Sequence, residues 1–239
     1  MNKLLRPFFA PALALTLVSA AAPAQSPEAH LAAVLAQLDT ASQHFTNARA
    51  DFSQDYYEAV VRETTTQAGS IYFERRSGGT QMGAVVMNPN GQGKDKVLEF
   101  KNGMLRVLDP HLDQIRLIKP NSGQAQLETF LTLGFGGSGK DLARSWSITD
   151  LGSETLTDTG QPVKTEKLDL VSKDPNIRNA FSHVTIWVDP QRGVSLKQIF
   201  ETPSHDRRTS TYSHIKLNGK IDLGSFEIKK GSKTTIVGP

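Results

Sequence analysis

The sequence predicts a mainly β domain with a few α-helices: a curled antiparallel sheet of about eleven strands, with helices over its concave face, behind a removable export segment. Three observations carry that reading. The apolar period switches from 3.6 to 2 near residue 47 and stays near 2 for most of the chain. Turn chemistry separates the alternating runs at short, regular intervals. The composition, 38% hydrophobic and 21% charged with 19 glycines and 12 prolines in 239 residues, is ordinary for a globular chain and excludes collagen and wholesale disorder.

Residues 1–24 read as a secretory signal. Lys3 and Arg6 form the positive start, the stretch from Phe8 to Val18 is apolar, and Ala22-Pro23-Ala24 supplies the small-x-small cleavage pattern. The apolar run is shorter than the ~20 residues a bilayer-spanning helix needs and contains Pro11. Cleavage after Ala24 leaves a single domain, residues 25–239, expected to be soluble. Its 25 basic residues against 24 acidic ones give no electrostatic basis for binding nucleic acid.

The domain opens with a helix over about 26–45. Ser26 is a hydroxyl N-cap, Pro27 is tolerated in the first turn, and Glu28 suits the positive helix end. Leu31, Val34, Leu35, Leu38, Ala41 and Phe45 then recur at helical spacing. Strands follow at 48–59, 70–75, 81–87, 96–101, 104–109 and 114–118. Between them stand turns such as Asn102-Gly103 and Asp109-Pro110. A helical interruption covers 124–144, with Leu127, Phe130, Leu131 and Leu133, then a glycine-rich break at 134–139, then Asp141 to Arg144. Glycine is costly in a helix interior, so two short helices joined by a mobile connection fit better than one long helix. Strands resume at 147–151, 163–171, 183–189, 194–201, 208–217 and 225–229.

Motifs for catalysis are largely missing. Gly134 to Lys140 reads GFGGSGK, which matches a phosphate-binding loop until Asp141 stands where a magnesium-holding hydroxyl belongs. The six histidines (His30, His44, His111, His183, His205 and His214) have no metal-binding spacing, and there is no cysteine. No G-x-S-x-G elbow appears. The expectation is a binding protein, not an enzyme, with no metal and no cofactor. A curled sheet wider than its own side chains can fill leaves an apolar cavity; from periodicity alone, an interior packed by its own residues is the competing reading.

Several segments, in order, resemble the periplasmic lipoprotein carriers of the LolA type. They are Phe45 to Gln54 (FTNARADFSQ), Gly69 to Arg75 (GSIYFER), Lys101 to Pro110 (KNGMLRVLDP) followed by Gln114, Asp189 to Gly193 (DPQRG) with Gln198, and Ile221 to Phe226 (IDLGSF). The resemblance implies an unclosed antiparallel barrel of about eleven strands whose helical lid covers an apolar cavity. It implies a carrier of acylated lipoproteins in the periplasm, loaded by an inner-membrane ABC transporter complex and unloaded to an outer-membrane receptor. A monomer is expected. The alternatives are an RseB-like sensor, or a carrier of another lipid or glycolipid, using the same barrel.

Candidate cavity residues, chosen by apolar character, are Phe52, Tyr56, Ile71, Phe73, Leu98, Phe100, Leu105, Val107, Phe130 and Leu133. In the resembling family an arginine at the end of the second strand fastens the lid to helix carbonyls; Arg75 occupies that place. Ile71, Phe73 and Arg75 share one strand face, so the guanidinium follows two apolar side chains inward, while Tyr72, Glu74 and Arg76 point out. Arginine keeps its charge and offers five donors. The tail beyond Lys229 is longer than the core requires.

Overall fold

The computed structural model describes residues 26–77, 79–89, 92–119, 133–231 and 233–238. The export segment, Phe130 and nearly all of the helix expected at 124–133 lie outside the described residues.

The opening helix, α1 (Pro27–His44), starts as its sequence dictates. The Ser26 hydroxyl accepts from the Ala29 N–H at 3.2 Å, Pro27 sits in the first turn, and Val34, Leu38 and Ser42 form the buried face. The chain then builds a long hairpin from β1 (Asn47–Glu58) and β2 (Glu63–Arg76). β2 begins seven residues before its expected start: residues 63–68 are polar on both faces and show no alternation, yet they ladder against β1. β3 (Gly79–Met87), β4 (Lys94–Lys101), β5 (Met104–Asp109) and β6 (Gln114–Ile118) continue the meander. After α2 (Gly139–Ser145) come β7 (Trp146–Asp158), β8 (Gln161–Ser172), the short helix α3 (Pro175–Ala180), β9 (His183–Asp189), β10 (Val194–Glu201), β11 (Arg207–Leu217) and β12 (Thr235–Val237).

Among the described residues, all twelve strands form one sheet in the order β12-β6-β5-β4-β3-β2-β1-β11-β10-β9-β8-β7. Every pairing is antiparallel except β12 with β6, and β7 does not pair with β12, so the barrel is unclosed. The mainly β class and the open barrel agree with expectation; two local assignments do not. The strand expected at 225–229 is a turn of 3-10 helix (Leu223–Ser225) followed by extended backbone with no ladder. Its alternation is real but serves packing: Phe226 and Ile228 bury against Tyr72, Val85, Val97 and Ile115 on the convex face, with Phe226 edge-on to Tyr72 at 4.9 Å. The tail beyond Lys229 then supplies β12, which caps the β6 edge. α3 was not expected, although Asp174-Pro175 carries its signal: the Asp174 carboxylate accepts from the Asn176 N–H at 2.9 Å.

The concave face divides into two apolar halves. Over β7–β9, the helices α1 and α2 bury Val34, Leu38 and Leu142 against Trp146, Leu168, Leu170, Val184, Ile186 and Val188. Over β1–β4 and β11, Phe45, Phe73, Met82, Phe100 and Tyr212 gather around Phe135.

Candidate ligand cavity and its latch

The segment from Leu133 to Ser138 forms one wall of the site. It is held to β10 and the turn before it at three points. The Gln198 amide donates to the Leu133 carbonyl at 2.5 Å, the Ser195 N–H to the Gly134 carbonyl at 2.6 Å, and the Gly136 N–H to the Gly193 carbonyl at 2.9 Å. Three glycines of this segment, Gly134, Gly136 and Gly139, allow close approach. Gly136 has φ +73°, and a Cβ there would stand 2.3 Å from the Phe45 ring. A Cβ at Gly139 would stand 2.1 Å from the Leu35 carbonyl oxygen, so its absence lets α2 lie directly on α1. Asp141, the residue that breaks the phosphate-loop match, helps cap α2: its N–H donates to the Ser138 hydroxyl at 3.0 Å, and its carboxylate pairs with Arg144.

Arg75 joins this wall to the helix. Its Nη1 donates to the Ser42 carbonyl at 2.6 Å and its Nη2 to the Gly136 carbonyl at 2.6 Å, while the guanidinium carbon lies 5.5 Å from the centre of the Phe45 ring. The last carbonyls of a helix lack internal partners and carry partial negative charge, which suits a cation. The other end of α1 is tied down separately. His30 Nδ1 lies 2.5 Å from Asp150 and Nε2 3.6 Å from Glu166. Glu166 also accepts from the Ser153 hydroxyl at 2.6 Å and pairs with Lys164 at 3.2 Å. Burial pushes the Asp150 carboxyl up, but the hydrogen bonds from His30 and from the Gly152 N–H outweigh it and hold the group below its ordinary value.

Between α1, α2, the 133–138 wall and β9 lies a cavity of about 480 Å³, within the range of small-molecule sites. Leu38, Leu133, Phe135, Leu142, Ile186 and Val188 give it apolar walls; Arg75, Ser42, Ser138, Asp141 and Arg144 give it a polar rim. Among the described residues, no group of three or more His, Asp or Glu side chains is arranged to hold a metal ion.

Of the sequence candidates, Leu133 and Arg75 line this cavity. Phe52, Ile71, Phe73, Phe100 and Leu105 share the concave face but pack in the cluster around Phe135, which takes the space a ligand would need there. Leu98 pairs with Val107 in the same layer; Val107 lines a smaller cavity of about 130 Å³ near the β6 edge. Tyr56 lies toward the far end of β1 under the Arg208 guanidinium, 5.4 Å from the ring centre, and takes no part in the apolar clusters. Trp187, on the opposite strand parity from Ile186, is convex-facing between Lys167 and Lys197. Sequence reasoning missed Phe135, His30, Asp150 and Glu166. The first sits in a stretch dominated by glycine, and the others meet across more than a hundred residues.

A polar row runs along the concave face, exposed at Gln67 and buried at Ser210, Gln198 and Tyr212. Gln67 donates to Gln54 at 2.6 Å, Gln54 to Ser210 at 2.9 Å, and the Tyr212 hydroxyl to Gln198 at 3.2 Å. Burial pushes Tyr212 up to about 12 against a weaker opposing hydrogen bond with Ser210.

Solved structures share this architecture. The crystal structure of MucB matches at a TM-score of 0.51 with 11% identity, covering 87% of this chain and 66% of the MucB chain. An uncharacterized conserved protein from Thermus thermophilus matches at 0.52 with 8% identity, covering 87% and 98%. A LolA superfamily protein from Nitrosomonas europaea aligns at 0.39 with 12% identity, covering 83% and 97%. The chain shares its fold with MucB and with the Thermus thermophilus protein. At such identities the likeness is one of fold. This chain spans just under two thirds of the length of MucB. No protein-family model matches the sequence, and no curated protein does.

Proposed function

We propose that the chain is an exported carrier that shields the acyl chains of lipoproteins in the periplasm, between an inner-membrane ABC transporter complex and an outer-membrane receptor, without catalysis. The observation that carries this reading is the latch: Arg75 bonds the Ser42 and Gly136 carbonyls and so closes α1 and the 133–138 wall over an apolar cavity.

Energetics favour such a design. Burying acyl methylenes gains about 0.8 kcal/mol each, so a lipoprotein does not cross water unaided. A carrier must offer comparable apolar surface and still release it. Two hydrogen bonds from an exposed guanidinium contribute on the order of 1 kcal/mol each, a modest cost for opening. The apolar surface of α1, Val34 and Leu38 with their neighbours, covers the concave face when no cargo is present. The export signal of residues 1–24 supports the compartment.

The test is transfer of a purified triacylated lipoprotein from the loaded protein to outer-membrane vesicles carrying the receptor. The reading expects a soluble one-to-one complex and handover to those vesicles. Failure to hold the lipoprotein in solution contradicts it.

A further inference from the structure

Arg75 is a cation at the mouth of the cavity without an acidic partner among the described residues. Its two hydrogen bonds go to neutral carbonyls, those of Ser42 and Gly136, and occupy only part of the five N–H donors an arginine carries. The arginines nearest to it in the sequence and on the rim differ: Arg76 pairs with Glu74 at 2.7 Å, and Arg144 pairs with Asp141. Asp141 is the carboxylate of the cavity rim, and the Ser138 hydroxyl also engages it at 2.7 Å. The mouth therefore presents a positive charge that no described side chain neutralises.

Behind that charge the walls are apolar, with Leu38, Leu133, Leu142, Ile186 and Val188. The cavity volume of about 480 Å³ corresponds to about sixteen methylenes, each close to a water's share of liquid volume, roughly 30 Å³. The closed protein thus has room for one acyl chain, whereas a triacylated lipoprotein requires α1 to lift from the sheet. A narrow oily body with a cation at its opening is the complement of a single chain that ends in an anion.

We infer that the cavity selects a single-chain lipid with an anionic head group, and that this head takes Arg75 from the Ser42 and Gly136 carbonyls and so releases the latch. This rests on the reading of the same cavity as a hydrocarbon site, and adds the head group it selects and the effect of that head on α1. Hydrogen bonds between two ions are roughly twice as strong as those to neutral acceptors, and the planar guanidinium matches a carboxylate or a phosphate with paired donors. An anion therefore outcompetes the carbonyls. The last turn of α1 carries partial negative charge, which loses its counter-cation and faces the incoming anion once Arg75 has turned away. Head-group binding and unlatching are one event. A fatty carboxylate and the phosphate of a one-chain lysophospholipid share this chemistry.

The test is displacement of the neutral dye Nile red from the delipidated mature protein by tetradecanoate, by myristoyl lysophosphatidate and by tetradecanol. At least one of the two anions is expected to bind about tenfold tighter than the alcohol, one molecule per protein, and the tighter of the two identifies the source of the head group. Arg75→Gln is expected to abolish the difference. Arg76→Gln removes the same charge from the outer strand face and is expected to keep it. In amide exchange of the unaltered protein, the tighter anion is expected to speed exchange at Phe45, whose N–H donates to the same Ser42 carbonyl at 3.4 Å, and tetradecanol is not. Equal affinity for both anions and the alcohol, a difference that survives Arg75→Gln, more than one chain per protein, or unchanged exchange at Phe45 would each overturn the inference. Any of these leaves the carrier reading standing while a triacylated lipopeptide still displaces the dye; loss of that displacement as well would overturn both.

Discussion

Phe135 lies flat against Phe73, their ring centres 4.3 Å apart at 17°, and meets Tyr212 edge-on at 4.9 Å. A side chain from the connecting segment thus occupies the middle of the concave face, and the remaining cavity lies beside it, under α1. Phe135 is 2% exposed, so Phe135→Ala is expected to destabilise the fold by about 3–5 kcal/mol. Urea denaturation measures this; a loss under 1 kcal/mol would mean that the ring is not packed as described.

Arg75 is exposed yet bonds two carbonyls on separate segments. Its loss is expected to shift the closed state by about 1–2 kcal/mol, a factor of roughly 5 to 30. For Arg75→Leu, amide exchange near Phe45 and Gly136 should rise by that factor, and bound lipoprotein should be handed over more slowly because the closed form no longer competes with cargo. Handover at the unaltered rate would remove Arg75 from the role of latch.

Asp150 is held below its ordinary carboxyl value of 3.8. A depressed pKa stabilises the fold above the unfolded value, and the contribution disappears as pH falls through the folded value. Acid unfolding of the native chain should therefore steepen below about pH 4, and Asp150→Asn should flatten that dependence. Identical acid profiles for the two proteins would show that the His30–Asp150 pair does not fasten α1.

Tyr212 and Tyr72 are both raised, Tyr212 to about 12. For Tyr72, burial is the largest cause, followed by the charges of Glu99 and Glu74. In an ultraviolet titration, Tyr212→Phe should remove a late-ionising component. If it removes one at or below pH 10, Tyr212 is not enclosed.

The sequence foretold the strands where one face is dry and the other wet: β9 and β10 have the bounds their alternation implies, and α1 starts at the cap its residues spell out. It was silent where structure depends on distant partners. Residues 63–68 show no alternation because both faces are wet, and only the β1 ladder makes them a strand. Residues 225–229 alternate like a strand because the convex sheet face supplies the dry side, but no neighbour completes a ladder. Parity along β2 correctly turned Tyr72 outward, though Phe226 then buries it. Apolar character alone could not separate residues that line the cavity from those that pack around Phe135, since both groups face the same interior. The Arg75 contacts follow from the family resemblance and strand parity together; the Gly136 carbonyl as its second acceptor was not legible.

The account rests on hydrocarbon entering the space between α1 and the sheet. Titration of the delipidated mature protein with a fluorescent acyl probe, competed by a triacylated lipopeptide, tests this most directly. The account predicts saturable binding at one site, displaced by the lipopeptide and weakened when Ile186→Glu places a charge on the cavity wall. Absence of saturable binding, or binding indifferent to both the competitor and the buried charge, would contradict it.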